Sequence, residues 1–208
     1  MVPLSPRALA FASFVGVTGA ACIVVPLALL TDAHASTVIA LTLPALVERS
    51  ETLVVAIPKS SVSRWESGRI VTYTTVGIDQ AVAGVAKAGG TLVVRTYGGV
   101  VDGVGQITHG EAVLKPGTPM LLFLRPLPPS TKPEEPSLAV TGMAQGAVPI
   151  VIGKDKVARV SPDVTQLALV QKPLEKLPPA AVALNGKALT DTLAEVRVLW
   201  TAHAAKKK

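Results

Sequence analysis

Apolar positions run along most of this chain at the spacing of strands. Residues 52–57 carry the run Leu53-Val54-Val55-Ala56-Ile57, which predicts a strand buried on both faces. Ahead of it, 37–41 reads as a short strand, and Thr42 is placed to cap a brief helix over 44–49 with Pro44 in its first turn. One or two turns do not hold unsupported, so that helix is expected as a lid whose Leu46 and Val47 cover one end of a β core. The strand continues past Pro58 to Trp65. Glu66-Ser67-Gly68 then predicts a hairpin turn into 69–83, a run rich in Val, Ile, Thr and Tyr. At ~3.3 Å per residue a straight strand of that length would reach roughly 50 Å, too long for a domain of this size. It is expected to bend at Gly77, and a long coiled strand serving both halves of a sheet is what a small closed barrel needs.

Residues 87–90 turn the chain into 91–97, where Leu92 and Val94 share one face and Val93 and Arg95 the other. A further hairpin is predicted between 111–114 and 120–124 across Lys115-Pro116-Gly117-Thr118, with Leu121 to Leu124 in mid-core. Strands at 138–143 and 148–152 are too few for a second core and are expected to complete the first, and 153–155 closes a last hairpin onto 156–160. Residues 125–136 hold five of the seventeen prolines and predict an exposed, stiff connector. No regular element is predicted over 161–179. Beyond it Leu189, Leu193, Val196 and Trp200 recur at helical spacing and predict an amphipathic helix that docks on its own domain by that stripe. The fold class is therefore mainly β: a single small OB-like β-barrel over 36–160, with a short N-terminal helix, then an irregular segment, a C-terminal helix and a lysine tail over 161–208.

Composition sharpens the compartment. The chain of 208 residues is 49% hydrophobic with only 3% aromatic, so Val, Leu, Ile and Ala must fill the core. Arg7, the uncharged stretch 8–30 and the small residues of Ala33-His34-Ala35 predict an export signal over 1–35, cleaved after Ala35, for a periplasmic or extracellular product. The apolar run is also long enough to span a bilayer, so an uncleaved membrane anchor is the alternative. The single cysteine, Cys22, lies inside that run with apolar residues continuing beyond it, which does not fit a lipoprotein signal. After cleavage no cysteine remains for disulfides, thiolate zinc sites or a cysteine nucleophile. The net charge is +6, and Lys206, Lys207 and Lys208 supply three of those charges. With few aromatics to stack bases, nucleic acid is not an expected partner, and membrane contact is expected only through the N-terminal segment if it stays.

Candidate chemistry concentrates in one stretch. Gly98, Gly99, Gly103, Gly105, Gly110 and Gly117 predict a tightly turning loop, and Asp102, Gln106, His109 and Glu111 lie between them. His109 and Glu111 are two apart and would share a side of an extended segment, which invites a metal or acid–base reading with Asp102. Zinc hydrolysis needs three protein ligands and an open position, and beyond the leader only His109 and His203 remain as histidines. The other reading is that Asp102 and Gln106 bond backbone amides freed by the glycines. Gly103-Val104-Gly105 begins like a dinucleotide fingerprint, but Thr108 stands where the third glycine belongs and no helix is predicted after it. No common hydrolase or phosphate-loop motif occurs. Trp65 and Arg69 flank the hairpin turn, a pairing suited to recognition, while Trp65 could equally close the end of a barrel.

The blocks LPALVERSETLVV, SRWESGRIVTYTTV and VRTYGGVVDGVGQITHGEAVLKPGTPMLLFL, over roughly 43–146, resemble a family of exported bacterial β-barrel proteins of uncharacterised function. That resemblance implies a signal peptide and no particular reaction. More distantly the strand order resembles OB-type barrels such as the netrin-like and metalloprotease-inhibitor modules. Those inhibitors chelate metal through an amino-terminal cysteine that this chain lacks, so the likeness implies fold and not mechanism. The function expected is a non-enzymatic binding or adaptor module of the cell envelope. It would use no cofactor or metal and would contact a protein or envelope polymer through Trp65, Arg69 and the loop Asp102–Gln106–His109–Glu111. The alternative is a metal-dependent or hydrolytic enzyme built on Asp102, His109 and Glu111.

Overall fold

Residues 52–56 are buried on both faces, whereas Ile57 is exposed, and the rest of the molecule is arranged about that strand. A computed structural model describes residues 36–206; the expected leader or anchor over 1–35, and Lys207 and Lys208, lie outside the described residues. In chain order the first elements are β1 (Ser36–Ile39), α1 (Leu43–Glu48), β2 (Thr52–Glu66), β3 (Arg69–Ala83), β4 (Thr91–Tyr97), β5 (Gly99–Val101) and β6 (Val104–Gln106). After them come β7 (Met120–Pro126), β8 (Leu138–Val140), a 3-10 turn at Met143–Gly146, β9 (Ala147–Ile152), β10 (Ala158–Val160), β11 (Leu167–Val170), α2 (Ala180–Leu184) and α3 (Leu189–Lys206). The protein is mainly β.

Seven strands form one sheet in the order β10-β9-β7-β2-β3-β4-β8. β8 pairs antiparallel with β7 as well as parallel with β4 at Val94↔Leu138. The pairings therefore run from β7 through β2, β3, β4 and β8 back to β7. The β2–β3 turn is Ser67-Gly68, both at positive φ (50° and 77°), as a two-residue hairpin requires. The bend expected at Gly77 is divided around it. The β2–β3 register shifts between Val55 and Ala56 and between Pro58 and Ser60, leaving Asp79 and Lys59 as the extra residues, while Gly77 itself pairs with Ile57 under the Lys59 side chain.

Alternation along β2 and β7 separates two cores. Leu53, Val55, Leu121 and Phe123 join one with Leu43, Leu46 and Val47 of α1, Leu184 of α2, and Leu193 and Val196 of α3. Val54, Ala56, Leu122 and Leu124 join the other with Val76, Ile78, Val94 and Val140. Thr42 caps α1 through its side chain, with Pro44 in the first turn, and Leu189, Leu199 and Trp200 pack beside Leu193 and Val196.

Three expectations are corrected. Residues 111–114 are not a strand: β7 already spends both edges on β2, β9 and β8. The turn at Gly117 donates instead to the Pro58 carbonyl (2.9 Å), and Ala112 and Leu114 are buried in the second core. Within 161–179, β11 pairs parallel with β1, from Ser36↔Leu167 to Ile39↔Val170. The helix α3 runs on to Lys206, so the first residue of the expected lysine tail is helical.

Phe123 is the largest fully buried side chain and faces all three helices' core. Phe123→Ala is expected to cost about 3–5 kcal/mol, read as a lowered urea midpoint at unchanged m-value.

Candidate functional site

The glycine loop folds as a β5–β6 ribbon lying across the distal end of β2–β3. Gly99 has φ +133°, and a Cβ there would run into the hydroxyls of Ser63 and Thr72, so the ribbon crosses in direct contact. Those hydroxyls bond each other (2.9 Å), and Thr72 Oγ1 donates to the Gly98 carbonyl (2.6 Å). Asp102 occupies the exposed ribbon turn at φ 48°, followed by Gly103 at 79°. Gln106 reaches back, its Oε1 accepting the Ile70 amide at 2.8 Å. The His109 carbonyl accepts the Ser36 hydroxyl (2.5 Å), and the Gly110 carbonyl accepts the Ala144 amide (3.0 Å). Glu111 turns inward. The loop thus ties β1 and the 3-10 turn to the sheet. Asp102 is held at the tip while Glu111 is half-buried, and among the described residues no group of three or more His, Cys, Asp or Glu is placed to hold a metal.

Trp65 pairs with Ile70, whereas Arg69 pairs with Glu66, so the two candidates at the hairpin end point to opposite faces. Trp65 is 49% exposed. The stacked arginines are others: Arg64 lies over the Tyr73 ring at 5.6 Å and Arg95 over the Tyr97 ring at 4.8 Å.

These side chains belong to a polar relay that sequence reasoning did not assemble. Arg95 Nε donates to Glu66 Oε2 (3.0 Å), with both side chains less than a tenth exposed. Tyr73 Oη donates to the same oxygen (2.9 Å) and accepts the Glu134 amide (3.1 Å). Arg64 Nη1 pairs with the Glu134 carboxylate (2.9 Å). The proline-rich connector is therefore strapped to the hairpin by Arg64 and Tyr73. The sequence signal was present but partial, because Arg95 and Tyr97 are two apart on one face, and only the register Tyr73↔Arg95 brings the tyrosine beside them.

Where β4 parts from β8 beyond Val94, a crevice of about 290 Å³ opens, lined by Arg95 and Tyr97 of β4, Arg125 of β7, Thr108 and Glu111. Leu127, Pro128, Ala139 and Met143 give it an apolar wall. Arg125 and Ala139 are cross-strand partners, which sets the guanidinium beside that wall. Glu111 Oε1 accepts the Ala112 amide (3.2 Å). Burial pushes the Glu111 carboxyl above its ordinary 4.5, against the opposing pull of the Ala112 and Tyr97 amides and the positive charges of Arg125 and Arg95. Glu111 also borders a second cleft of about 290 Å³, whose polar groups include Lys115, Asp163 and Thr165. Glu111 stands out in the sequence beside the glycines, whereas neither arginine nor Tyr97 does.

No protein-family model matches the chain, and no curated protein does.

Two outcomes are expected from these arrangements. Removing one partner of the buried pair, by Arg95→Met or Glu66→Gln, costs about 3–5 kcal/mol because the other charge is left alone, while the double variant recovers most of the loss. Urea denaturation of the three variants checks this, and simply additive losses would refute it. For Glu111, a raised folded pKa means stability that is full below pH 4.5 and is lost as pH rises through the folded value. Glu111→Gln removes that dependence, so its thermal midpoint should gain on the parent as pH rises above 4.5. A gap that widens toward acid pH would contradict this sign.

Proposed function

We propose that this chain is an exported, non-enzymatic binding module of the cell envelope, built on an OB-type barrel and related to exported β-barrel proteins. Support for the barrel comes from the strand pairings. β7-β2-β3-β4 is the fourth-first-second-third order of a Greek key, and β8 bonds both ends of that row. Support for export comes from the Arg7 start, the apolar 8–30 stretch and the Ala33-His34-Ala35 site. No described helix is long and apolar enough to cross a membrane.

The observation that carries the binding reading is the crevice at the divergence of β4 from β8, where Arg95, Tyr97, Arg125 and Glu111 meet an apolar wall. A concave apolar site with a few convergent polar groups is the usual form of a ligand site. In OB barrels, binding is carried by the second and third strands with the loops after the first and fourth. Here those are β3, β4, the Ser67-Gly68 turn and the 127–137 strap. Trp65 and Arg69 at the hairpin end extend the same contact region on two faces.

Amide hydrogen exchange of the purified protein, with and without cell-envelope extract, tests the proposal. Protection is expected at 95–97, 108–112 and 139–143, falling about tenfold or more in Tyr97→Ala, whose ring lines the crevice. Protection elsewhere only, or none, would overturn it.

A further inference from the structure

The two arginines of the crevice are not equivalent. Arg95 is neutralised by Glu66 at 3.0 Å. Arg125 makes no ion pair among the described residues, and its hydrogen bond to the Pro126 carbonyl next along the chain is a long 3.5 Å. Glu111, the one carboxyl lining the crevice, engages the Ala112 and Tyr97 amides. It forms no ion pair with Arg125 among the described residues. One guanidinium fork therefore faces the crevice without an anion, beside Leu127, Ala139 and Met143.

Resting on the reading of this crevice as the binding site, we propose that its ligand is a carboxylate carried on a small apolar group. The carboxylate sits on Arg125 and the hydrocarbon lies against Leu127, Ala139 and Met143. A planar fork matches the two oxygens of a carboxylate. A phosphate would call for a cluster of donors, and here the further groups are a Thr108 hydroxyl and an arginine already paired. The volume, near the lower end of ligand sites, suits a short acid or the last residue of a peptide.

Glu111 then makes occupancy depend on pH. It is faced by Arg95 and Tyr97 from β4 and Arg125 from β7, and across the neighbouring cleft by Lys115 and Asp163, with His109 two residues before it. Ionised, it competes with the ligand for the field of Arg125; protonated, it does not. Binding is expected to weaken as pH rises through the Glu111 value, which lies above 4.5.

Isocaproate stands for a free acid, N-acetyl-leucine for a peptide end, and N-acetyl-leucinamide and inorganic phosphate serve as controls. Each is titrated by calorimetry and by amide NMR into the protein with its N-terminus as processed by the cell. Both acids are expected to bind and to shift the amides of Thr108, Glu111 and Ala139. The acid that binds more tightly identifies the source of the carboxylate. Arg125→Gln should weaken binding about tenfold or more. Glu111→Gln should flatten the decline of binding as pH rises above 4.5. Equal binding of the amide or of phosphate at the crevice, or acid binding that survives Arg125→Gln unchanged, overturns the carboxylate assignment while leaving the crevice a binding site. No shift with any probe also overturns it, and the exchange experiment with envelope extract then decides separately whether the crevice binds anything.

Discussion

Two strands pressed from both sides are the condition on which the rest of the molecule depends. β2 and β7 divide a core covered by the three helices from a second core shared with β3, β4 and β8. On a half-exposed sheet, polar and apolar alternation fixes the register, since a slip of one residue would send every apolar side chain to water. Leu53 to Ile57 and Leu121 to Leu124 have no such alternation to read. Their register is held by features at the ends of the run: the Ser67-Gly68 turn, the unpaired Lys59 and Asp79, and the bond from Gly117 to Pro58.

The sheet changes character along the length of these strands. Near the helices it is apolar on both faces. Toward the Ser67-Gly68 turn one face carries hydroxyl pairs, Ser61 with Thr74 and Ser63 with Thr72, and the β5–β6 ribbon covers the second pair. The opposite face carries the relay of Glu66, Arg95, Tyr73 and Arg64. A charge pair enclosed in this way is weak evidence of added stability but strongly constrains geometry, because either charge left alone is costly. The relay fixes the strap through the Glu134 amide, and the strap supplies Leu127 and Pro128 to the crevice. The shape of the candidate site thus depends on the hairpin end as well as on the strands that line it.

Much of the fold was legible because its signals are local. Thr42 before Pro44, Ser67-Gly68 between apolar runs, and the stripe from Leu189 to Trp200 each specify their element within a few residues. What was not legible needed a distant partner. Residues 167–170 are too short a run to declare themselves, and they become a strand only against 36–39. Residues 111–114 carry strand-like side chains but meet a β7 with no edge to offer. The site follows the same division. Glu111 stood out beside the glycines, whereas Arg95, Tyr97 and Arg125 looked like ordinary strand residues until β4 and β8 diverge and leave their side chains around a shared space.

The parallel pairing of β1 with β11 also imposes an order in time. Ser36 finds Leu167 across most of the polypeptide, and a contact so distant in sequence closes late and slowly. The first strand has no partner to zip against until residues 167–170 are in place. Wherever the chain folds, β1 can therefore join the finished structure only when both ends of the domain are present together.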